Sequence, residues 1–231
     1  MPPPPIPIVT IDGADGSGKS TFAAQLAAGL EQAGWAAALF SVDDFRRPVD
    51  WSRADRREVD TYYHDYYALD ELERCLQALR AGAPSVTIPV FDSRTETLAG
   101  ERTIELGRAR VALVEGVFAL RVPAAAAGLV IYVELDAAEA RRRLIARDLA
   151  RGRSRAVIEH RLDARYVPAQ ERYAAAYHPA ARADVVIDSA TPQVFQATRR
   201  NLTRAPAELG AALDRLLPPV AAIRIRKAPD P

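Results

Sequence analysis

The sequence predicts an α/β fold of three layers, in which a mostly parallel sheet is covered by helices on both faces. Short β-branched runs such as Ile6 to Ile11 alternate with segments of helical periodicity such as Ser20 to Ala33. Parallel strands need a long crossover between them, usually a helix, so this alternation favours a parallel sheet. The 231 residues, of which 49% are hydrophobic, suit one domain with a sizeable core.

The other elements follow in order along the chain. Strands are predicted at Ala36 to Val42, Val86 to Val90, Val111 to Val114, Leu129 to Leu135 and Asp184 to Ile187. Helices are predicted at Leu69 to Leu79, Ala137 to Ala150, Ala156 to Tyr177 and Ala205 to Leu217. The segment from Arg46 to Tyr67 has no clean period and is expected to be loop with short helices. We expect one domain at residues 1–198 with a lid at about 141–177, then a C-terminal helix and a Pro-rich tail at 199–231.

Composition and charge exclude several classes of protein. The chain has 31 Lys plus Arg and 30 Asp plus Glu, a net charge of +1, so no overall field attracts nucleic acid or an anionic membrane. No apolar run approaches the ~20 residues that span a bilayer, and no basic stretch precedes an apolar one at the start, as in a secretory signal. Cys75 is the only cysteine, which excludes internal disulfides. We therefore expect a cytoplasmic protein that binds neither nucleic acid nor membrane, and the sequence leaves homo-oligomerisation open.

A glycine-rich segment lies between the first predicted strand and the first predicted helix. Gly13-Ala-Asp-Gly-Ser-Gly-Lys-Ser20 fits the pattern G-x-x-x-x-G-K-[ST] in full. Glycines let successive backbone N–H groups face one anion, and the helix that follows presents its positive end to the phosphates. In such a loop Lys19 reaches the β- and γ-phosphates and Ser20 binds Mg²⁺. The predicted nucleotide-binding residues are Gly13, Ala14, Asp15, Gly16, Ser17, Gly18, Lys19, Ser20 and Thr21 of a P-loop NTPase fold.

Two acidic residues follow predicted strands. Asp43 comes after the second strand, and Glu115 comes after Val111 to Val114. Ligands of open α/β sheets bind beyond the carboxyl ends of the strands, so both carboxylates are expected in the crevice that holds the P-loop. One would orient or deprotonate an acceptor hydroxyl, and the other would hold Mg²⁺. Asp44 is expected to cap the turn that follows it.

Arginines cluster near the predicted lid. Arg143, Arg147 and Arg151 are spaced by four and share one helix face, and Arg153 follows. They repel one another unless phosphates or acids lie opposite, and Asp148 is expected to be a poor partner because it is one position off that face. The cluster predicts either a triphosphate-binding surface or a solvated basic face.

Aromatic residues crowd the otherwise charged segment before the helix predicted at Leu69 to Leu79. They are Phe45, Trp51, Tyr62, Tyr63, Tyr66 and Tyr67. Such residues would either form a platform for a planar acceptor, such as a nucleobase, or pack this segment onto the sheet. For most of them packing is the expected role.

Taken in order over about residues 6 to 190, these motifs resemble the uridine/cytidine kinases, within the wider group of P-loop kinases that includes phosphoribulokinase and bacterial pantothenate kinase. The resemblance rests on the P-loop, Val42-Asp-Asp-Phe45, Ile88-Pro-Val-Phe-Asp92, Val114-Glu-Gly-Val117, Arg147-Asp148 with Arg151-Gly-Arg153, Tyr166-Val-Pro168 and Ala183-Asp-Val-Val-Ile187.

The resemblance implies an ATP-dependent kinase that uses Mg²⁺, with a five-stranded parallel sheet and a mobile, Arg-rich helical lid. It implies that Asp43 is the catalytic base on a nucleoside 5′-hydroxyl and that Lys19 also acts in catalysis. Ser20 and Glu115 would act at the metal. Catalytic Arg147 would close over the triphosphate together with Arg151 and Arg153. The implied acceptor residues are Asp43, Phe45, Asp65, Phe91 and Tyr166.

Two departures from the family pattern leave the acceptor open. The segment from Asp92 to Leu98 contains no histidine, where the family has one that helps to read the pyrimidine. The acid that grips the ribose hydroxyls has no unambiguous match, Asp65 being the nearest and Asp60 the next. The sequence favours a nucleoside such as uridine or cytidine as the small-molecule acceptor. Pantothenate, a sugar phosphate or nicotinamide riboside are alternative acceptors, and a nucleotide-dependent regulatory P-loop protein is an alternative of another class.

Overall fold

The computed structural model describes residues 6–51, 57–93, 95–191 and 193–217. The strands are Ile8–Asp12 (β1), Ala37–Ser41 (β2), Ser85–Asp92 (β3), Thr97–Glu105 (β4), Val111–Glu115 (β5), Leu129–Glu134 (β6), Val185–Asp188 (β7) and Gln196–Arg200 (β8). The helices are Lys19–Gln32 (α1), Glu58–His64 (α2), Leu69–Arg80 (α3), Pro123–Ala126 (α4), Ala137–Ala150 (α5), Arg155–Arg161 (α6), Val167–Tyr177 (α7), Pro179–Arg182 (α8) and Ala207–Leu216 (α9). Short 3₁₀ turns lie at Val42–Phe45 and Ala119–Arg121.

The main sheet confirms the predicted architecture with one strand more than expected. Its strand order is β2-β5-β1-β6-β7-β8. The first five strands of that order are parallel, and β8 pairs with β7 in the antiparallel direction. Both β1 and β5 are buried along their whole length, as expected for central strands covered by helices on both faces. Their carboxyl ends therefore meet at the centre of one sheet edge.

The predicted strand at Val86 to Val90 forms, but it does not join the main sheet. It belongs to β3, which pairs with β4 as a separate two-stranded antiparallel hairpin. Nearly every residue of β4 is exposed, so this hairpin projects from the body of the protein.

The long helix predicted over Ala156 to Tyr177 is interrupted. Its first part, α6, is capped by Ser154, whose side chain accepts a hydrogen bond from the backbone N–H of Val157. A π-helical turn at Leu162–Tyr166 then leads into α7, where Pro168 occupies the first turn. Proline lacks the N–H that a continuous helix would need there, so a change of helical geometry at this point is expected.

Two apolar layers cover the sheet. Val9 and Ile11 of β1 face one layer, where Phe22 of α1 and Leu213 of α9 are buried. Ile8 faces the opposite layer, which contains α3 and α7 residues, because successive strand side chains alternate between faces. The boundary predicted at residue 198 falls inside β8, and α9 packs on α1, so both elements share the core of the main sheet. No helix among the described residues is both long and apolar enough to cross a membrane.

The buried position of α9 leads to a stability prediction. Leu213 has no exposed surface, so Leu213→Ala is expected to lower the free energy of unfolding by about 2–5 kcal/mol through lost burial and the cavity left behind. Urea unfolding measures this change. Leu98→Ala, at a leucine that is 53% exposed, is the control and should change stability little. Equal effects of the two substitutions would show that α9 is not part of the core.

Candidate functional site

The glycine-rich segment forms the loop between β1 and α1, which is the position that its sequence predicts. Gly16 and Gly18 have φ angles of 84° and 88°, which other residues rarely adopt. A Cβ atom at Gly16 would lie 2.7 Å from the carbonyl oxygen of Ala140, so this position has no room for a side chain. The first N–H groups of α1 have no partner within the helix and are available to an anion.

Lys19 is held over this loop by acidic and carbonyl oxygens. Its ammonium lies 3.3 Å from the carbonyl oxygen of Ala14 and 3.3 Å from Oδ1 of Asp15. Burial opposes the charge, but the nearby carboxylates of Asp15, Glu115 and Asp43 together raise the pKa of Lys19 above its usual value. Lys19 is therefore a fixed, fully charged cation at neutral pH.

Glu115 ends β5 within reach of two hydroxyl groups. Ser41, at the end of β2, donates to one carboxylate oxygen, and Ser20 donates to the other over 3.1 Å. Burial raises the pKa of Glu115, while the charge of Lys19 counteracts part of that rise. The end of β5 and the first turn of α1 thus bring together the carboxylate and the hydroxyl that the sequence predicts as metal ligands.

The donor set of this pair suits Mg²⁺, which prefers oxygen ligands and binds through few protein groups when phosphates and water supply the rest. The described residues contain no cluster of three or more His, Cys, Asp or Glu that could hold a metal by itself. A metal at this edge would therefore be held by Ser20 and Glu115 together with phosphate oxygens of the nucleotide.

Asp43 lies in the 3₁₀ turn after β2, with about half of its side chain exposed. Its carboxylate forms an ion pair with Arg46, whose side chain is only 18% exposed. The predicted cap at Asp44 is wrong, because Ser41 accepts the hydrogen bond from the N–H of Asp43 and caps the turn. Asp44 instead forms an ion pair with Arg102 of β4 over 2.6 Å, which ties the projecting hairpin to the turn.

The lid arginines share a buried acidic partner. Asp148 is 3% exposed and accepts hydrogen bonds from Arg147 and Arg153, each over 2.9 Å. Arg151 lies 3.8 Å from the same carboxylate. Although burial opposes ionisation, Arg147 and Arg153 hold the pKa of Asp148 below its usual value. The expectation that Asp148 is a poor partner is therefore wrong, because the chain turns after Ala150 and brings Arg153 back toward it.

One cleft of about 540 Å³ contains most of the predicted site residues. Its lining includes Asp15, Gly16, Gly18, Lys19, Ser20, Thr21, Asp43, Arg147, Arg151, Arg153 and Tyr166 from the sequence-based set, together with Arg46, Glu96, Arg143, Asp148 and Arg161. The P-loop, the acid after β2 and the lid arginines, which come from three distant parts of the chain, thus face a common space.

Three predicted acceptor residues do not line this cleft. Phe45 has no exposed surface and packs in the core beside α3 residues, because the 3₁₀ turn directs it inward while Asp43 faces outward. Asp65 is exposed at the end of α2. Phe91 lies behind the lining, with its ring 6.2 Å from that of Tyr66 and under the guanidinium of Arg46 at 5.6 Å.

The aromatic cluster both packs and lines the cleft. Tyr62 and Tyr67 are buried and their hydroxyls lie 3.0 Å apart, yet both also contribute to the wall of the cleft, as does Tyr66. Tyr63 packs against Phe118 in the core instead. The cluster therefore packs in the core, and three of its tyrosines also face the cleft.

Sequence reasoning did not find several polar residues of this region. Asp12 ends β1 with 1% exposure, and its carboxylate accepts hydrogen bonds from the N–H of Gly13 and from the hydroxyl of Tyr173. Burial raises the pKa of Asp12 to about 6, although the hydrogen bond from Tyr173 acts in the opposite direction. The sequence also did not predict Arg46 as a residue of the cleft. Its position directly after Asp43-Asp44-Phe45 was the only local indication of that role.

Comparison with known proteins gives results that agree with this geometry. The chain matches the Phosphoribulokinase / Uridine kinase family over residues 8–194. A possible uridine kinase from Bacillus stearothermophilus is 25% identical, with a TM-score of 0.61 over 80% of this chain and 90% of that one. Phosphoribulokinase from Rhodobacter spheroides is 17% identical and shares the fold, with a TM-score of 0.59 over 87% and 82% of the two chains. D-glycerate 3-kinase from Cryptococcus neoformans also shares it, at 14% identity and a TM-score of 0.53 over 84% and 90%.

The family match covers most of the chain, and it spans the P-loop, the strand ends and the lid arginines that line the cleft. The chain therefore belongs to the phosphoribulokinase/uridine kinase family of ATP-dependent P-loop kinases.

Proposed function

We propose that the protein transfers the γ-phosphoryl group of ATP to a hydroxyl of a small-molecule acceptor, with the 5′-hydroxyl of a nucleoside such as uridine or cytidine as the leading candidate. The observation that carries this proposal is the shared cleft, in which Lys19, Asp43 and the lid arginines face one space. A cleft that holds both a phosphate loop and a carboxylate across from it suits transfer to a second substrate better than simple hydrolysis.

Lys19 and the lid arginines would bind the triphosphate. Phosphoryl transfer passes through a loose transition state, so the protein contributes mainly by positioning groups and neutralising charge. Lys19 is already charged and held over the loop, and Arg147 and Arg151 are about half exposed on the facing helix. These cations would surround the phosphates from both sides and exclude water when the nucleotide binds.

Asp43 would orient the acceptor hydroxyl and accept its proton. Its carboxylate is exposed to the cleft, and Arg46 holds it from the side of the turn. An ion pair of this kind fixes the direction of the carboxylate.

Mg²⁺ would be held by Ser20 and Glu115, and when bound it would neutralise charge on the phosphate oxygens. Ser41 donates to the other oxygen of Glu115 and so orients that carboxylate toward the loop.

The base of the donor nucleotide would occupy a shallow pocket of about 260 Å³ on the outer side of the loop. Phe195 approaches Gly18 and packs edge-on against Phe22 at 5.2 Å, which gives this pocket an aromatic wall. Arg143 forms another boundary and is fixed by hydrogen bonds to the carbonyl oxygens of Ser189 and Ala190. An aromatic ring and a fixed guanidinium suit stacking on a planar base.

A second candidate acceptor is a sugar phosphate. The acceptor end of the cleft includes Arg46 and Arg161 as well as the tyrosines, and Nε of Arg46 is buried with no hydrogen-bond partner among the described residues. An unpaired guanidinium N–H favours an acceptor that carries an anionic oxygen, whereas the aromatic wall favours a planar base.

An acceptor panel separates these candidates. ADP release from ATP is measured alone and with nucleosides, nicotinamide riboside, pantothenate and sugar phosphates. Stimulation by uridine or cytidine supports the leading candidate, and stimulation by a sugar phosphate alone supports the second. Turnover that no acceptor changes would favour the regulatory nucleotide-binding alternative and contradict the proposed transfer.

Asp43→Asn tests the proposed base. Asparagine is nearly isosteric but cannot accept the proton, so acceptor phosphorylation should fall by roughly 10²–10⁴ while ATP affinity stays within a few-fold. Calorimetry measures ATP binding, and acceptor-dependent ADP release measures transfer. Asp44→Asn is the matched control, because Asp44 pairs with Arg102 on the outer side. If Asp44→Asn were the damaging substitution, the assignment of the base to Asp43 would be wrong.

Replacing Arg147 and Arg151 together with alanine tests the lid. The double variant should raise the KM for ATP and lower kcat, since it removes two cations that face the phosphates. Thermal stability should change little, because both side chains are about half exposed and Arg153 remains paired with Asp148. Extensive unfolding, with normal ATP use by the folded fraction, would assign these arginines a structural role instead.

A further inference from the structure

Helix α7 contacts the phosphate-binding loop through two polar side chains. Gln170 and Tyr173 are three residues apart and therefore lie on one face of the helix. Each of them bonds to an acidic residue of the loop region, Gln170 to Asp15 and Tyr173 to Asp12. These acids lie 155 and 161 residues away in the sequence.

The contact between Tyr173 and Asp12 is completely buried. The Tyr173 hydroxyl donates to one oxygen of Asp12 and accepts a hydrogen bond from the N–H of Leu120 over 3.0 Å. The other oxygen of Asp12 accepts the N–H of Gly13 over 2.6 Å. Every polar atom of this group thus has a partner, and the backbone at the first glycine of the loop is fixed by a carboxylate that the helix holds.

The contact between Gln170 and Asp15 is bidentate. The Gln170 amide oxygen accepts the backbone N–H of Asp15 over 3.0 Å, and its amide nitrogen donates to the Asp15 carboxylate over 3.1 Å. The second carboxylate oxygen of Asp15 is the one that lies 3.3 Å from the Lys19 ammonium. Gln170 therefore fixes both the loop backbone and the counter-ion of Lys19.

We infer that Gln170 and Tyr173 are positioning residues for donor binding: by holding Asp15 and Asp12 from outside, they keep the loop N–H groups and Lys19 in the arrangement that receives the triphosphate. Neither side chain needs to touch the nucleotide. A glycine-rich loop has more conformational freedom than other segments, and fixing it before binding removes an entropic cost that the ligand would otherwise have to offset. The inference rests on the proposed function only in taking ATP as the donor.

The same helix connects the loop to the acceptor side of the cleft. Arg172 of α7 pairs with Asp60 of α2 over 2.8 Å, and the ring of Tyr173 packs edge-on against Phe118 at 5.3 Å. A shift of α7 would therefore move the loop acids and α2 together.

ATP binding by calorimetry, with Mg²⁺ present, tests the inference on the full chain. Tyr173→Phe removes only the hydroxyl, and Gln170→Leu removes the amide while keeping most of the volume. Each variant is expected to bind ATP roughly tenfold more weakly, the usual effect of one lost net hydrogen bond. The KM for the acceptor should remain unchanged, since a loss of structure alone would affect both substrates.

Tyr177→Phe is the matched control. It removes a hydroxyl from the next turn of the same helix, and its ring stacks on that of Tyr173 at 5.1 Å. This variant should bind ATP as the unmodified protein does.

If Tyr173→Phe and Gln170→Leu also bind ATP normally, the inference is wrong while the proposed function stands. If the unmodified protein does not bind ATP, the proposed function itself fails. The two variants affect different acidic residues. If one variant does not fold, ATP binding by the other still tests the inference.

Discussion

Three buried ionisable side chains meet at the carboxyl edge of the main sheet. Asp12, Lys19 and Glu115 lie where β1 and β5 end, and none of them is more than 7% exposed. A buried charge is costly unless hydrogen bonds and opposite charges compensate it. Each of the three therefore has partners from separate elements, so that the sheet, α1 and α7 must all be in place before this edge is stable. The cleft is the open side of that arrangement.

Asp12 shows that part of this arrangement opposes stability. Its carboxyl has a pKa of about 6 in the folded protein and 3.8 as its ordinary value. Between pH 3.8 and about pH 6, Asp12 therefore binds a proton more readily in the folded state than in the unfolded state. The contribution of Asp12 to stability is thus complete below about pH 4 and is lost as the pH rises through 6. At neutral pH the ionised form is retained at a cost in stability, which fits a role in shaping the loop better than a role in folding.

The parts of the molecule that the sequence predicted are those governed by local rules. The P-loop is specified by glycines, one lysine and its position between a strand and a helix, and the five parallel strands are short, largely apolar runs. β8 was missed because its sequence, Gln-Ala-Thr-Arg-Arg, is polar and largely exposed and becomes a strand only by pairing with β7. Phe45 was misplaced because a motif gives the order of residues, while the turn at Val42–Phe45 decides which of them faces the core.

The polar contacts that shape the cleft join residues that are far apart in the sequence, so the sequence alone does not predict them. Arg153 donates to the carbonyl oxygen of Ser93, Arg161 pairs with Glu96, and Arg165 with His160 holds Glu58 of α2. Each of these bonds joins the lid region to α2 or to the turn of the β3–β4 hairpin, the side of the cleft on which we propose that the acceptor binds. Arg147 and Arg151, which we propose to bind the triphosphate, lie on or beside α5, directly before this segment. These contacts join the two ends of the cleft. Under the proposed function, binding of the acceptor beside α2 and the β3–β4 hairpin would therefore be coupled to the position of the arginines that bind the triphosphate.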